Sequence, residues 1–308
     1  MQDSGVSRTS RTIAPPSAVR RPAAKRFTLD TELRRSLAEL TAPKPGEAEK
    51  AGVENDYGLD TAFRRRSEPI FRFFFDHYWR VSVEGLENLP AQGGAILVGN
   101  HSGAIPLDAT MVAYAISERW DCGRLARPLF DRFVENLGPV AEIYRKLGGV
   151  PARYSVADEL LTRGELPLIF PEGIKGVSKL FDERYSLRRF STSAARLSVR
   201  HRVPIIPFAV IGAEEVYPMI GRSTRLGRMM GAPYVPITPL FPLLGVGGLI
   251  PLPTKWHIAF GRRIYLYRES RFRGRSCMDF EAMSERLRRT VQVMVRRKLR
   301  QRSSIFLG

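Results

Sequence analysis

Cysteine is nearly absent from this chain. Its 308 residues include two, Cys122 and Cys277, which excludes a disulfide-stapled framework and leaves no Cys-x-x-Cys pair for zinc or redox chemistry. That scarcity fits a reducing, cytosolic setting. Histidine is also scarce, at four residues, so no His/Cys metal cluster is expected and no tightly held cofactor is called for. No apolar run of about eighteen residues free of helix breakers occurs, so no transmembrane helix is expected. The opening MQDSGVSRTS has no apolar core segment and does not read as a secretory signal. Familiar catalytic signatures are missing too. There is no Gly-x-Ser-x-Gly elbow, no phosphate loop ending in Gly-Lys-Ser/Thr, no His-Glu-x-x-His and no Gly-x-Gly-x-x-Gly after a strand.

Charge of one sign is what the chain has in excess. Lysine and arginine number 49 against 31 aspartates and glutamates, a net of +18. Between Gly261 and Gly308 there are 14 basic and 4 acidic residues, a local net of +10. Such a surplus points to a polyanionic surface, either nucleic acid or an anionic bilayer. No recognisable nucleic-acid module accompanies it, so nucleic acid is not the expected partner.

The chain divides into three by composition. Residues 1–55, rich in Ser, Pro, Ala and Arg, are expected to be a disordered basic arm with one short helix over Leu29–Leu40. Residues 56–275 read as an α/β domain. They open on an aromatic helix from Thr61 to Trp79, which is either a core helix or an interfacial one. Strands are expected at Val81–Val83, Ala95–Val98, Leu166–Phe170, Ile205–Ile211 and Ile258–Phe260. Helices over Leu107–Ile116 and Thr192–Arg200 alternate with them. Another helix is expected to open at a Ser155-x-x-Asp158 capping box and stop at Gly164. Alternation of this kind argues for a mostly parallel sheet flanked by helices. Ala232–Thr254 contains no charged residue and six prolines. It is either packed under the domain or lies against lipid. Residues 276–308 read as a basic amphipathic helix and tail, with Phe280, Met283, Leu287, Val291, Met294 and Leu299 at helical spacing; it either docks on an anionic membrane or is a solvated helix packed on the domain by its apolar stripe.

Two strand ends carry candidate chemistry. The first is Gly99-Asn100-His101-Ser102-Gly103-Ala104-Ile105-Pro106-Leu107-Asp108, directly after the Ala95–Val98 run. Ligand and catalytic groups in open α/β sheets gather at the carboxyl ends of strands. A histidine there can act as a general base, since its unperturbed pKa is about 6.5. Asp108 is the nearest acid downstream and could orient it. By spacing alone such a pair also occurs as ordinary structure. The second end, Phe170-Pro171-Glu172-Gly173-Ile174-Lys175, sets an acid, a glycine and a base past another buried strand. On its own it also reads as a plain strand exit.

Taken together, these stretches resemble the glycerolipid acyltransferase superfamily typified by lysophosphatidate acyltransferases. Asn100-His101…Asp108 resembles its first block, Gly149-Val150-Pro151-Ala152-Arg153 its second, Phe170-Pro171-Glu172-Gly173 its third and Val203-Pro204-Ile205-Ile206-Pro207 its fourth. The first block departs from the common pattern. Six residues rather than four separate His101 from Asp108, a variant similar to the branch related to mono- and diacylglycerol acyltransferases.

The resemblance implies a glycerol-phosphate-acyltransferase-like fold and an O-acyltransferase. His101 would be the general base and Asp108 its orienting acid. Glu172 and Gly173 would help bind the acceptor, and Arg153 would meet a phosphate if the acceptor has one, with Lys175 as a weaker candidate of the same kind. Partners would be an acyl thioester (acyl-CoA or acyl carrier protein) as co-substrate and a glycerolipid-type alcohol, with no metal. The enzyme would dock peripherally on an anionic membrane at its cytoplasmic face. Three other readings stay open: transfer to a non-glycerol alcohol, a catalytically inactive lipid-binding homologue, and a basic nucleic-acid-binding protein.

Overall fold

A computed structural model describes residues 57–102, 107–119, 123–229, 231–269 and 278–308. The expected amino-terminal arm, its short helix, Cys122, Cys277 and residues 103–106 lie outside the described residues. Within them, helix α1 (Thr61–Arg72) opens on an Asp60 cap whose side chain accepts the Phe63 N–H, and it continues as a π-helical turn, Phe73–Tyr78. Strand β1 (Ser82–Glu84), β2 (Ile96–Gly99) and helix α2 (Leu107–Arg119) follow. Next come β3 (Ala126–Phe130), α3 (Pro139–Lys146), β4 (Val150–Pro151), α4 (Tyr154–Thr162) and β5 (Leu166–Ile169). Helix α5 (Ser193–His201) leads to β6 (Ile205–Ile211), then to the hairpin β7 (Gly221–Ser223) and β8 (Val235–Ile237). The chain closes with β9 (His257–Phe260) and helix α6 (Phe280–Gln301).

Seven strands form one sheet in the order β1-β9-β6-β2-β5-β3-β4. All pair in parallel except β6 with β9. The continuous apolar runs explain the centre of this sheet. Every residue of β2, β5 and β6 is buried, as strands covered by helices on both faces must be. Strands β3 and β4 and the β7–β8 hairpin carry no such run and were not expected. Arg127 in β3 is wholly buried, held by the Gly148 carbonyl at 2.8 Å and Glu165 at 2.9 Å, and its charge masked the strand in the sequence.

Three expectations need correction or division. The Ser155-x-x-Asp158 capping box does not form. Arg153 is the N-cap, and Asp158 instead bonds His201 at 2.7 Å and Arg200 at 2.8 Å on α5. The aromatic helix is divided between both readings. Phe63, Phe75 and Trp79 are buried, with Trp79 stacked on Trp256 at 4.6 Å, while Ile70 and Phe73 are exposed. The carboxyl-terminal helix does not present a free apolar face. Met283, Leu287, Val291 and Val295 of α6 are buried against Ile205, Ala209 and Ile211 of β6. At about 1.5–3 kcal/mol for each fully buried aliphatic side chain, that stripe is core packing, and only the arginine face meets solvent. The amphipathic pattern in 276–308 is therefore an integral layer of the domain.

Candidate active site

The site is built where β2 ends. Gly99 sits against the Phe208 ring, and a Cβ there would approach ring atoms to 2.2 Å, so only glycine lets β2 lie this close to β6. Asn100 then continues the ladder with its side chain. Its amide donates to the Val210 carbonyl at 2.9 Å and accepts the Val210 N–H at 2.8 Å. This wholly buried clamp fixes the direction in which the next residue, His101, leaves the sheet.

His101 is held on three sides. Its ring stacks on Phe170 at 4.2 Å and 13°. Its Nδ1 lies 2.9 Å from Asp108 Oδ2. Its backbone N–H donates to Glu172 Oε1 at 3.1 Å. With Asp108 accepting at Nδ1, the ring proton sits there and Nε2 keeps its lone pair. Among the described residues Nε2 has no partner, and the side chain is partly open to solvent. Asp108 is wholly buried in the first turn of α2. Besides His101 it accepts the Ser102 N–H at 2.8 Å, the Ser102 hydroxyl at 3.1 Å and the Ala109 N–H at 2.8 Å. Donors on both oxygens offset the cost of burying a carboxylate.

Glu172 is buried. One oxygen takes the His101 N–H and the other the Arg188 N–H at 2.7 Å. Buried Lys179 lies 3.6 Å from Glu172 and 2.9 Å from Glu214. Glu214 also accepts the Tyr185 N–H at 2.9 Å, and burial raises its carboxyl pKa against the lowering by Lys179. Through these bonds Glu172 holds the histidine loop to the loop of Arg188. Gly173 does border open space. Its φ of 56° is a glycine conformation, and a Cβ there would meet nothing within 4 Å. Lys175 is exposed on the single turn Ile174–Val177, its ammonium without a partner among the described residues. Arg153 is 53% exposed at the start of α4, and its guanidinium is paired with Glu135 at 2.9 Å.

An apolar cavity of about 80 Å³ opens beside His101, walled by Ala109, Phe130, Val134, Ile174 and Val177. Pro128 and Tyr144 border both this cavity and a second apolar one of about 50 Å³ under α1 and α2. Burial, reinforced by the Asp108 charge, pushes the Tyr144 phenol above its usual range, so this dividing wall is neutral.

The sequence reading found His101, Asp108 and Gly173 at this site. It missed Asn100 as a clamp, Ser102 as an Asp108 donor, and Lys179 and Arg188 as partners of Glu172. Gly176 was also missed: a Cβ there would lie 3.0 Å from His101 Cβ and 2.8 Å from Glu172 Cβ. Ser102 was visible as the neighbour of His101. Lys179 and Glu214, 35 positions apart, carry no local signal.

Comparison with known proteins adds to this geometry. A family model described as Acyltransferase matches residues 80–211, a span containing all four motif blocks. An uncharacterized protein of Mycobacterium leprae is 40% identical over 256 residues, covering 82% of this chain and 70% of the relative. An uncharacterized protein of Mycobacterium tuberculosis has the same identity over the same length, with 72% of it covered. Among solved structures, the 1-acyl-sn-glycerophosphate acyltransferase of Thermotoga maritima is 19% identical with a TM-score of 0.46, covering 90% of this chain and 85% of that one. A match across four ordered blocks carries more than a lone histidine–aspartate pair can, and it assigns residues 80–211 to the acyltransferase family.

Proposed function

We propose that the protein moves a fatty acyl group from an acyl thioester, carried by coenzyme A or an acyl carrier protein, to a hydroxyl of a glycerolipid-type acceptor. The observation that carries this reading is His101, bonded at Nδ1 to Asp108 at 2.9 Å, with Nε2 unpartnered among the described residues beside an apolar cavity. Nε2 takes the acceptor hydroxyl proton as that oxygen attacks the thioester carbonyl carbon. A C–O bond forms and the carbonyl oxygen becomes an oxyanion. On collapse the C–S bond breaks, and the thiolate takes the proton back from the imidazolium. Asp108 accepts at Nδ1 throughout and stabilises the charged ring. The cavity beside His101 suits the first carbons of the acyl chain. Each methylene fully buried there contributes about 0.8 kcal/mol. The reaction needs no metal, and the acyl thioester is a co-substrate. Such substrates reside in bilayers, so the enzyme works peripherally at the cytoplasmic face of a membrane.

A second reading, a neutral acceptor, rests on Arg153. Its guanidinium already has a carboxylate partner in Glu135, so it is not a free fork for phosphate. Incubation with radiolabelled acyl-CoA or acyl carrier protein and a panel of lysophosphatidate, mono- and diacylglycerol and fatty alcohol tests both readings. Ester formed by the wild type and not by His101→Ala is the expected result. Thioester hydrolysis without any ester product would overturn it.

A further inference from the structure

The charge-free Ala232–Thr254 stretch is packed on the domain at Tyr234, Thr238 and Thr254, but its middle is not covered. Leu243 is 82% and Ile250 63% exposed, and Leu244 and Leu249 between them are exposed as well. The short helix Thr224–Met229, at the other end of the β7–β8 hairpin, also exposes apolar side chains, with Met229 78% exposed and Leu226 exposed as well. Large aliphatic side chains gathered this way in one segment are unusual on a soluble monomer and mark an interaction surface.

Three observations identify the partner. The first is position. Thr254 Oγ1 donates to the Gly212 carbonyl at 3.0 Å, and Tyr217 donates to the Leu249 carbonyl at 2.7 Å. Gly212 and Tyr217 directly follow β6, the strand parallel to β2. The apolar apron is therefore anchored at the sheet end that carries His101. The second is continuity. Tyr78 donates to the Pro251 carbonyl at 2.6 Å, and the exposed Phe73 ring lies 6.2 Å from Tyr78, so the end of α1 borders the same apron with an aromatic ring. The third is charge. From Gly221 to Thr254 the only charged residues are Arg222, Arg225 and Arg228, a net of +3 with no acid. Arg225 and Arg228 are exposed on the short helix alongside its two exposed apolar side chains.

We infer that the Thr224–Met229 helix and the Leu240–Ile250 loop dock this protein on an anionic lipid bilayer, with the loop's aliphatic side chains at the headgroup–acyl boundary and the arginines among the phosphates. The inference rests on the lipid acyltransferase reading above and names the surface by which such an enzyme meets its substrate. Apolar burial and attraction between arginine and anionic lipid act together on an interfacial element of this kind. Six prolines in the stretch remove backbone donors and oppose edge pairing with another protein. Two copies stacked through this face would set like charges against each other. Among the described residues no helix is long and apolar enough to cross a membrane.

The test uses the full chain and vesicles of seven parts phosphatidylcholine to three parts phosphatidylglycerol. Leu243→Asp with Ile250→Asp should lower the vesicle-bound fraction at least about tenfold, equivalent to about 1.4 kcal/mol. The same double variant should keep wild-type turnover on a water-soluble short-chain thioester and acceptor, and its circular dichroism should be unchanged. Leu243→Trp supplies a direct readout, since its fluorescence should shift to the blue and be quenched by brominated acyl chains. Vesicle binding is measured without turnover, so loss of the docking proposal and loss of the acyltransferase reading are separable. Equal binding by the double variant, or an unquenched signal from the introduced indole on bound protein, would overturn the inference. A lipid-free dimer that the same two aspartates dissociate would assign the face to a second copy instead.

Discussion

Glu172 accepts the backbone N–H of His101 at 3.1 Å. Its other oxygen accepts the N–H of Arg188 at 2.7 Å, so one buried carboxylate ties the loop after β5 to the loop that carries the base. Proton transfer needs hydrogen-bond reach to the acceptor hydroxyl, and this tie sets where the imidazole stands.

Glu172→Gln should therefore impair turnover rather than acceptor binding. A glutamine offers one acceptor and turns a donor toward one of the two backbone N–H groups, and it leaves buried Lys179 with Glu214 alone. Loss of a buried hydrogen bond costs about 1–3 kcal/mol. We expect kcat to fall about five- to 150-fold, with the Michaelis constant for the acceptor unchanged and the thermal midpoint lowered. A raised Michaelis constant at full kcat would return Glu172 to the acceptor site.

His101→Ala should lower acyl transfer about a hundred- to ten-thousandfold, the usual contribution of a positioned general base. Asp108→Asn should also be strongly impaired, since it disturbs the tautomer that leaves Nε2 unprotonated. Because the two side chains act as a unit, the double variant should be little worse than the weaker single one. Multiplicative losses in the rate assay would show that Asp108 does not act through His101.

Arg153→Ala distinguishes the acceptor classes. The Arg153–Glu135 pair is largely exposed on the arginine side, so its loss should change stability by about 1 kcal/mol or less. With a neutral acceptor the kinetics should stay within about twofold of the wild type. A Michaelis constant raised tenfold or more on lysophosphatidate alone would assign Arg153 to a phosphate.

His257 gives the fold a pH dependence. It is half-buried at the start of β9 with Nε2 unpartnered among the described residues, and burial, followed by the nearby Lys255, Arg302 and Lys298 charges, lowers its pKa. The folded state thus binds its proton less readily than the unfolded chain. The stability this confers is fully present above the unfolded value of about 6.5 and is lost as pH falls from there through the folded value. Denaturant melts across that range should show stability falling toward acid, and His257→Gln should flatten the slope. An unchanged slope in the variant would remove His257 as the cause.

Much of this protein is legible in the order of its residues alone. The runs Ala95–Val98, Leu166–Phe170 and Ile205–Ile211 are apolar throughout, and a strand that buries both faces must sit at the centre of a parallel sheet. His101 and Asp108 stand out because both lie where such a strand ends, seven positions apart. What the tertiary structure alone decided were the partners. The periodicity of Phe280–Gln301 says that one face is apolar, not that β6 covers it. The composition of Ala232–Thr254 says that it avoids charge, not that Leu243 and Ile250 are left uncovered. Glu172 and Arg153 declare by their chemistry that each needs a partner of opposite polarity. Only the folded chain supplies the backbone N–H groups of His101 and Arg188 to the first and Glu135 to the second, because those contacts join segments that no local spacing relates.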